Sequence, residues 1–142
     1  MKYTFLSDIF YEDFPHEKYR QLELKRDRPY AHVQIDVYNQ TFCIPLRSNI
    51  NHPYAFFTNK AKRCGVDYSK AVIITDNNYI DNSRKVFLRP DEYKKLQGKE
   101  YIIKRQFLAY IDLYKTAKTD ETVSHREHIL NFSTLQYFED YI

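Results

Sequence analysis

Glycine, cysteine and tryptophan are scarce in this sequence, whose 142 residues include two glycines, two cysteines and no tryptophan. Flexible linkers are typically rich in glycine, so we predict a single domain over residues 1–142. Cys43 and Cys64 lack the spacing of metal ligands, and neither is assigned a role. The chain also lacks a run of about 18 apolar residues, and no apolar leader follows Met1. We therefore expect a cytoplasmic protein that does not associate with membranes.

Aromatic residues are abundant, with 14 tyrosines and 10 phenylalanines. Disordered chains are poor in aromatic residues, so this composition indicates a folded protein. Tyrosine rings can stack on nucleobases, although most of them are expected to fill core positions. The formal net charge of +3 is small and gives only weak support for a polyanionic partner.

Basic residues cluster before the first clear strand. Positive groups interleaved with aromatic rings are what a surface that follows an RNA backbone requires. We predict that three of these residues bind RNA, namely Lys25, Arg26 and Arg28; a solvated charged face is the alternative. The whole cluster comprises Lys18, Arg20, Lys25, Arg26 and Arg28, with Tyr19 and Tyr30 between them.

The first half of the chain has the pattern of β-strands. Alternating apolar and polar residues over 30–37 predict a strand, and Asn39 with Gln40 predicts the turn into a second strand over residues 41–46. Residues 12–28 are polar and contain no predicted element. Further short strands are predicted over residues 2–6, 71–74 and 86–88 and around Tyr79 and Ile80.

The apolar pattern also predicts how the first two clear strands pair. If Tyr38 faces Thr41, the core positions match in pairs, and His32 lies opposite Arg47 on the other face. The matched core pairs are Ile35 with Ile44 and Val33 with Leu46.

The second half has helical spacing. Pro90 suits a helix start, Gly98 breaks the pattern, and apolar residues over 101–114 recur at the spacing of the longest helix. A polar loop follows over residues 117–122, and then a short helix over residues 125–130.

Ser133 is the predicted N-cap of a last helix, in which Leu135, Phe138 and Tyr141 share one face that could dock on the sheet. Strands followed by helices predict the α+β class.

The common sequence signatures of nucleotide, metal and acyl-transfer sites do not occur, so we expect no metal and no cofactor. What remains is the segment Ile44-Pro45-Leu46-Arg47-Ser48 and the polar loop after it. Cleavage of RNA by its own 2′-hydroxyl needs a proton acceptor, a proton donor for the leaving 5′-oxygen and positive charge at the phosphate. Arg47 can hold two phosphate oxygens, and Ser48 can add a hydrogen bond. Asn49 and Asn51 are predicted to bind RNA in the same loop.

Two histidines are candidates for proton transfer, because an imidazole with a pKa of about 6.5 can act as acid or base near neutrality. We favour His52 and keep His32 as the second candidate, with Tyr30 as a supporting group. Structural alternatives stay open for each of them. His52 and Ser48 can be turn residues that bond to the backbone, and His32 and Tyr30 can be half-buried strand residues.

At these residues the sequence resembles the toxins of type III toxin–antitoxin systems, the ToxN/AbiQ family, and most closely the TenpN branch. The resemblance covers most of the chain. It involves the N-terminal strand, Arg28-Pro29-Tyr30-Ala31, Ile44-Pro45-Leu46-Arg47-Ser48 and Phe132-Ser133-Thr134-Leu135.

The resemblance implies an antiparallel β-barrel core of the PemK/MazF type with added helices, mostly in the C-terminal half. It also implies metal-independent, sequence-selective cleavage of RNA to a 2′,3′-cyclic phosphate. Ser48 matches the active-site serine of the family. Three neighbours differ, because Arg47 stands in place of a threonine, Tyr30 in place of a lysine and Ile50 in place of a basic residue.

The implied partner is an antitoxin RNA, a repeated pseudoknot that forms a hetero-oligomer with toxin copies and occupies their active sites. The implied substrates are cellular or phage RNA. Two rivals remain: a PemK/MazF-type RNase restrained by a protein antitoxin, and a non-catalytic RNA-binding module.

Overall fold

The computed structural model describes residues 1–23 and 30–142. Over these residues the protein is a mixed α+β structure, as predicted, with a seven-stranded antiparallel sheet and four α-helices. The strands are β1 (Lys2–Leu6), β2 (His32–Val37), β3 (Gln40–Arg47), β4 (Ala55–Asn59), β5 (Cys64–Asp67), β6 (Val72–Ile73) and β7 (Ile80–Asp81). The helices are α1 (Asp8–Asp13), α2 (Pro90–Leu96), α3 (Glu100–Thr119) and α4 (Arg126–Phe132), and 3₁₀ turns span Tyr68–Lys70, Asn77–Tyr79, Thr134–Tyr137 and Glu139–Tyr141.

The strand order is β4-β5-β3-β2-β1-β7, and β6 also pairs with β3. In the described part of the chain, no pairing joins the outer strands β4 and β7, so the sheet is open there. The strand β3 pairs with three neighbours and is buried from Phe42 through Leu46. On one side Phe42 contacts Phe107 of α3, with ring centroids 5.0 Å apart. This continuous burial explains why β3 is apolar from Phe42 through Leu46.

The predicted register between β2 and β3 is wrong by two residues. The turn residues are Tyr38 and Asn39, with φ of 54° and 58°, the left-handed conformations that a two-residue hairpin turn requires. Val33 therefore lies opposite Ile44, and His32 lies opposite Pro45 rather than Arg47. A two-residue shift keeps every side chain on its face, which is why the apolar pattern alone did not reveal it.

Other strand predictions vary in outcome. The strand β1 has its predicted bounds, and β6 and β7 are shorter versions of predicted strands. The stretch over residues 86–88 is irregular rather than a strand. Two features were not predicted: the hairpin of β4 and β5, and α1, whose first turn is capped by Ser7.

The predicted helices α2 and α3 are present, separated by Gly98 with φ of 73°. The helix α3 extends to Thr119, so it includes the start of the predicted loop. Ser133 does cap the last segment, but this segment forms 3₁₀ turns rather than an α-helix. Within the described ranges, no helix combines the length and apolar character needed to cross a membrane.

Candidate functional site

The end of β3 presents Arg47 and Ser48 at the edge of the core. Arg47 is the last residue of β3 and pairs with Gly65 of β5, and Ser48 follows it with an exposed side chain. Asn49 is exposed and adopts φ of 56°, which turns the chain. Ile50 is then fully buried and anchors the loop.

Arg63, in the turn between β4 and β5, holds this loop in place. Its Nε donates to the carbonyl of Ile50 at 2.8 Å, and its Nη2 donates to the carbonyl of His52 at 2.9 Å. The Ile50 amide donates back to the Arg63 carbonyl at 3.0 Å. The guanidinium lies over the Phe57 ring, 4.4 Å from its centroid. Residues 48–53 are therefore tied to the hairpin missed by sequence analysis.

Asp67, at the end of β5, is a fully buried carboxylate beneath this loop. Its Oδ1 accepts from the Ser69 amide at 3.0 Å and from the Ser69 hydroxyl at 2.7 Å. Its Oδ2 accepts from Nη1 of Arg47 at 2.5 Å. Burial alone would raise the pKa of Asp67, but hydrogen bonds from His52 and Ser69 and the charge of Arg47 hold that pKa below its ordinary value.

Arg47 is engaged by two carboxylates. Besides Asp67, Nη2 pairs with Glu23 at 2.9 Å. Burial opposes its charged form, but the two carboxylates outweigh burial and raise the pKa of Arg47. The buried Nε has no hydrogen-bond partner among the described residues. Both terminal nitrogens, which we expected to contact phosphate, are thus used within the protein.

His52 is held by its neighbours at both ring nitrogens. Its Nδ1 accepts from the Tyr54 amide at 3.0 Å, so the ring proton resides on Nε2. Nε2 lies 3.1 Å from both Asp67 Oδ1 and Ser69 Oγ. The ring also stacks on Tyr54, with centroids 5.6 Å apart. Neither nitrogen of His52 is left to exchange a proton with a ligand in this arrangement.

His32 lies away from these groups, in the core. Its side chain is buried, and Nδ1 bonds to the Tyr30 carbonyl at 2.9 Å. Burial lowers its pKa to about 4, although the hydrogen bond to Tyr30 acts in the opposite direction. His32 is therefore a neutral core residue near pH 7, and it does not meet Arg47 as predicted.

Arg47 lines two cavities. The larger, which we call the Ser48 cleft, has a volume of about 360 Å³ and contains the predicted residues Tyr30, Arg47 and Ser48. Phe87 and Arg89, from the segment before α2, also line it. Their side chains are strongly exposed, with 81% of Phe87 and 63% of the Arg89 side chain accessible.

The smaller cavity, which we call the His52 cavity, has a volume of about 270 Å³. It is lined on one side by the predicted residues Asn51 and His52 and on the other by α4. Lys70 lines it and donates to the Phe132 carbonyl at 2.9 Å and to Gln21 at 3.3 Å. Burial lowers the pKa of Lys70.

The predicted site residues therefore divide into separate groups. Tyr30, Arg47 and Ser48 share the Ser48 cleft, whereas Asn51 and His52 face the other cavity and His32 is buried. The Tyr30 hydroxyl donates to Glu23 at 3.4 Å. The predicted RNA-binding residues Lys25, Arg26 and Arg28 lie outside the described residues.

Several polar residues of the site were missed by sequence analysis. Asp67 was missed because the strand that it ends was not predicted. A single acidic residue after the apolar residues of Cys64-Gly65-Val66-Asp67 could have indicated a buried carboxylate. Glu92 was not singled out as a site residue. The missed residues are Glu23, Arg63, Asp67, Ser69, Lys70, Arg89 and Glu92.

Chemically, the Ser48 cleft offers an exposed hydroxyl, an exposed guanidinium, a carboxylate from Glu92 and an exposed aromatic ring. Hydroxyl and guanidinium groups bind phosphate oxygens, and aromatic rings stack on bases. Within the described ranges, no group of three or more His, Cys, Asp or Glu side chains is arranged to hold a metal ion. Comparison of the chain with protein-family models, with curated proteins and with solved structures finds no match.

Proposed function

We propose that this protein is a metal-independent, sequence-selective endoribonuclease toxin of a type III toxin–antitoxin system, of the ToxN/AbiQ kind. The observation that supports this proposal most is the grouping of Ser48, Arg47 and Tyr30 in one cleft with Arg89 and Phe87. In the proposed reaction a 2′-hydroxyl attacks the adjacent phosphate, and the products are a 2′,3′-cyclic phosphate and a free 5′-hydroxyl.

The scissile phosphate binds where β3 ends. The exposed Ser48 hydroxyl donates to one phosphate oxygen, and Arg89 supplies positive charge from the other side of the cleft. Arg47 keeps its contact with the buried Asp67, while the phosphate replaces Glu23 at Nη2. This exchange is feasible because the Glu23 side chain is 27% exposed, whereas Asp67 is fully buried. Arg47 thus stabilises the charge that develops on the phosphate.

Phe87 is suited to bind a base next to that phosphate. A large, exposed aromatic ring at the mouth of a cleft has no role in the core, and a base can stack on it at a gain of about 1–3 kcal/mol. Tyr30 lines the same cleft and offers a second ring.

A PemK/MazF-like barrel core is part of the same proposal. It is supported by β3, which pairs with β2 and β6 at one end and with β5 at the other. A strand shared in this way is how two sheets join at the corner of a barrel-like fold.

By the same resemblance, the partner is an antitoxin RNA made of repeated pseudoknots. It occupies the Ser48 cleft of each toxin copy in a toxin–RNA hetero-oligomer located in the cytoplasm. Cellular or phage RNA is the substrate once the antitoxin is lost.

The test is to express wild type, Ser48→Ala and Arg47→Ala in cells, to measure growth and to sequence RNA ends. We expect growth arrest and new 2′,3′-cyclic phosphate ends with wild type but not with Ser48→Ala or Arg47→Ala. Ser124→Ala, at an exposed position outside both cavities, serves as the matched control and stays toxic. Purified wild type should cleave RNA in excess EDTA. Full toxicity of Ser48→Ala and Arg47→Ala would overturn the assignment.

A non-catalytic RNA-binding module is the second candidate, because neither His52 nor His32 has a nitrogen placed for proton transfer. In that case purified protein binds RNA but leaves it intact under all conditions. A PemK/MazF-type RNase with a protein antitoxin differs in its inhibitor, so neutralisation by a co-expressed RNA repeat distinguishes the two.

A further inference from the structure

We propose that Glu92 is the general base of this cleavage, taking the proton of the attacking 2′-hydroxyl in the Ser48 cleft. The inference rests on the proposed endoribonuclease function, and it supplies the proton acceptor that the histidines do not provide.

Glu92 is placed for this role by α2. The helix begins at Pro90, its buried residue Leu96 enters the core, and Glu92 in the first turn faces the cleft shared with Ser48 and Arg47. Only 13% of the Glu92 side chain is exposed. Among the described residues that line the cleft, it is the single carboxylate.

The negative charge of Glu92 is only partly balanced by neighbouring positive charge. Its closest ion-pair partner is Arg89, at 3.8 Å, and the Arg89 side chain is mostly exposed to solvent. An exposed partner at this distance interacts weakly. A phosphate that binds Arg89 would therefore find Glu92 available beside it.

Burial raises the pKa of Glu92, and the nearby charge of Asp91 raises it further, while Arg89 and the Thr58 side chain act in the opposite direction. A carboxylate whose pKa rises toward the working pH becomes a stronger base. Other titratable and charged groups face Glu92 from its own segment, from β1, β3 and β5, and from the residues before β2. They are Arg89, Asp91, Tyr3, Arg47, Cys64 and Tyr30.

The step is balanced without a co-reactant. The 2′-oxygen forms a bond to phosphorus as its proton passes to the Glu92 carboxylate. The bond from phosphorus to the 5′-oxygen breaks, and that oxygen takes a proton from a solvent water. The hydroxide left behind is neutralised by the proton that Glu92 releases, which restores the carboxylate.

The test compares purified wild type with Glu92→Gln, which keeps the size of the side chain but cannot accept the proton. The substrate is a fluorescent RNA oligonucleotide that carries the cleavage site mapped from cellular RNA ends. We expect kcat to fall at least about 100-fold, with RNA affinity and Tm unchanged. Glu121→Gln, the same change at an exposed carboxylate outside the Ser48 cleft, is the matched control and keeps wild-type activity.

The pH profile separates a base from a merely structural residue. In wild type, log(kcat/KM) should decline on the acid side with a bend above the ordinary carboxyl pKa, and this bend should be absent in Glu92→Gln. If wild type does not cleave RNA, the proposed function fails. If wild type cleaves and Glu92→Gln matches it with the same bend, only the inference about Glu92 fails.

A second variant covers the case in which Glu92→Gln does not fold. Glu92→Asp keeps the carboxylate but withdraws it from the cleft by one methylene group. We expect a lower kcat with the acid-side bend retained. An unchanged kcat in Glu92→Asp would overturn the assignment of the base.

Discussion

The ring of His52 is held from both sides, by the Tyr54 amide at Nδ1 and by Asp67 and Ser69 at Nε2. Asp67 in turn holds Arg47. A side chain that supports a buried carboxylate through its N–H acts on the site through other residues. We therefore infer that His52 is a positioning residue, and the following substitutions test this against a role as acid or base.

This assignment predicts different results for two substitutions of His52. In His52→Gln the side-chain amide can still donate to Asp67, so we expect cleavage activity close to wild type. In His52→Ala that donor is lost, Arg47 shifts, and kcat should fall about 100-fold, as misplacement of a site by about 1 Å can cause. Activity of each purified variant across the pH range checks this. Equal losses in both variants would instead indicate proton transfer by the imidazole.

His32 makes a prediction about stability and pH. Its pKa is about 4 in the folded protein and about 6.5 when unfolded, so between these values the unfolded chain binds more protons. The contribution of neutral His32 to stability is complete above pH 6.5 and is lost as pH falls toward 4, a change on the order of 3 kcal/mol.

The measurement is urea unfolding of wild type and His32→Asn at several pH values. The asparagine amide can replace Nδ1–H as donor to the Tyr30 carbonyl, while its smaller volume destabilises the protein at pH 7. We expect the stability difference between the two proteins to shrink as pH falls to 4. A difference that is independent of pH would show that His32 does not titrate in this range.

At the scale of elements, the hairpin of β4 and β5 depends on the absence of a side chain at Gly65. A Cβ there would lie 2.1 Å from the Phe56 carbonyl oxygen and 2.8 Å from Phe57 Cα. Because these are backbone atoms, they cannot move aside without opening the hairpin that carries Asp67.

Gly65→Ala should therefore lower the free energy of unfolding by at least about 3 kcal/mol and abolish cleavage. Gly98→Ala is the control, since a Cβ at Gly98 meets no atom within 4 Å. Its positive φ alone should destabilise the protein by about 1–2 kcal/mol. Thermal and urea unfolding of both variants tests the difference, and equal effects would exclude the steric explanation.

The sequence was most informative about elements with a regular spacing of apolar residues or with a clear boundary residue. Pro90 and Gly98 bound α2, and alternation located β2. The register was not predictable, because Tyr38 adopts a left-handed conformation that tyrosine rarely takes. The hairpin of β4 and β5 was missed because its aromatic residues do not alternate with polar ones.

The candidate site was predictable only in part for a related reason. Arg47, Ser48 and Tyr30 belong to the segments that the pattern located, and they share a cleft. Asp67 and Glu92 reach the site from elements more than 15 residues further along the chain. Their arrival depends on the pairing of β3 with β5 and on the docking of α2, neither of which periodicity reveals.

For the whole molecule, the net charge of +3 is too small to hold RNA by a general field. Under the proposed function, RNA binding therefore depends on a few local cations, and the exposed Arg89 in the Ser48 cleft is one candidate. The salt dependence of RNA affinity should report this contact directly.

We expect Arg89→Gln to weaken RNA binding and to reduce the slope of log K against log salt concentration by about 0.7, the value for one phosphate contact with a single strand. Arg105→Gln, at an exposed position on α3 that lines neither cavity, should leave the slope unchanged. Titration of a labelled RNA at several salt concentrations provides the measurement. An unchanged slope for Arg89→Gln would remove this residue from the phosphate site.

The hydrogen bonds of Arg63 to the carbonyls of Ile50 and His52 have a consequence for binding. Ordering one backbone residue costs about 1–2 kcal/mol in conformational entropy, and in residues 48–53 this loss occurs when the protein folds rather than when a ligand binds. A ligand therefore meets a preorganised surface. If RNA binds there as proposed, Arg63 links the affinity of that surface to the integrity of a hairpin that the RNA does not need to touch.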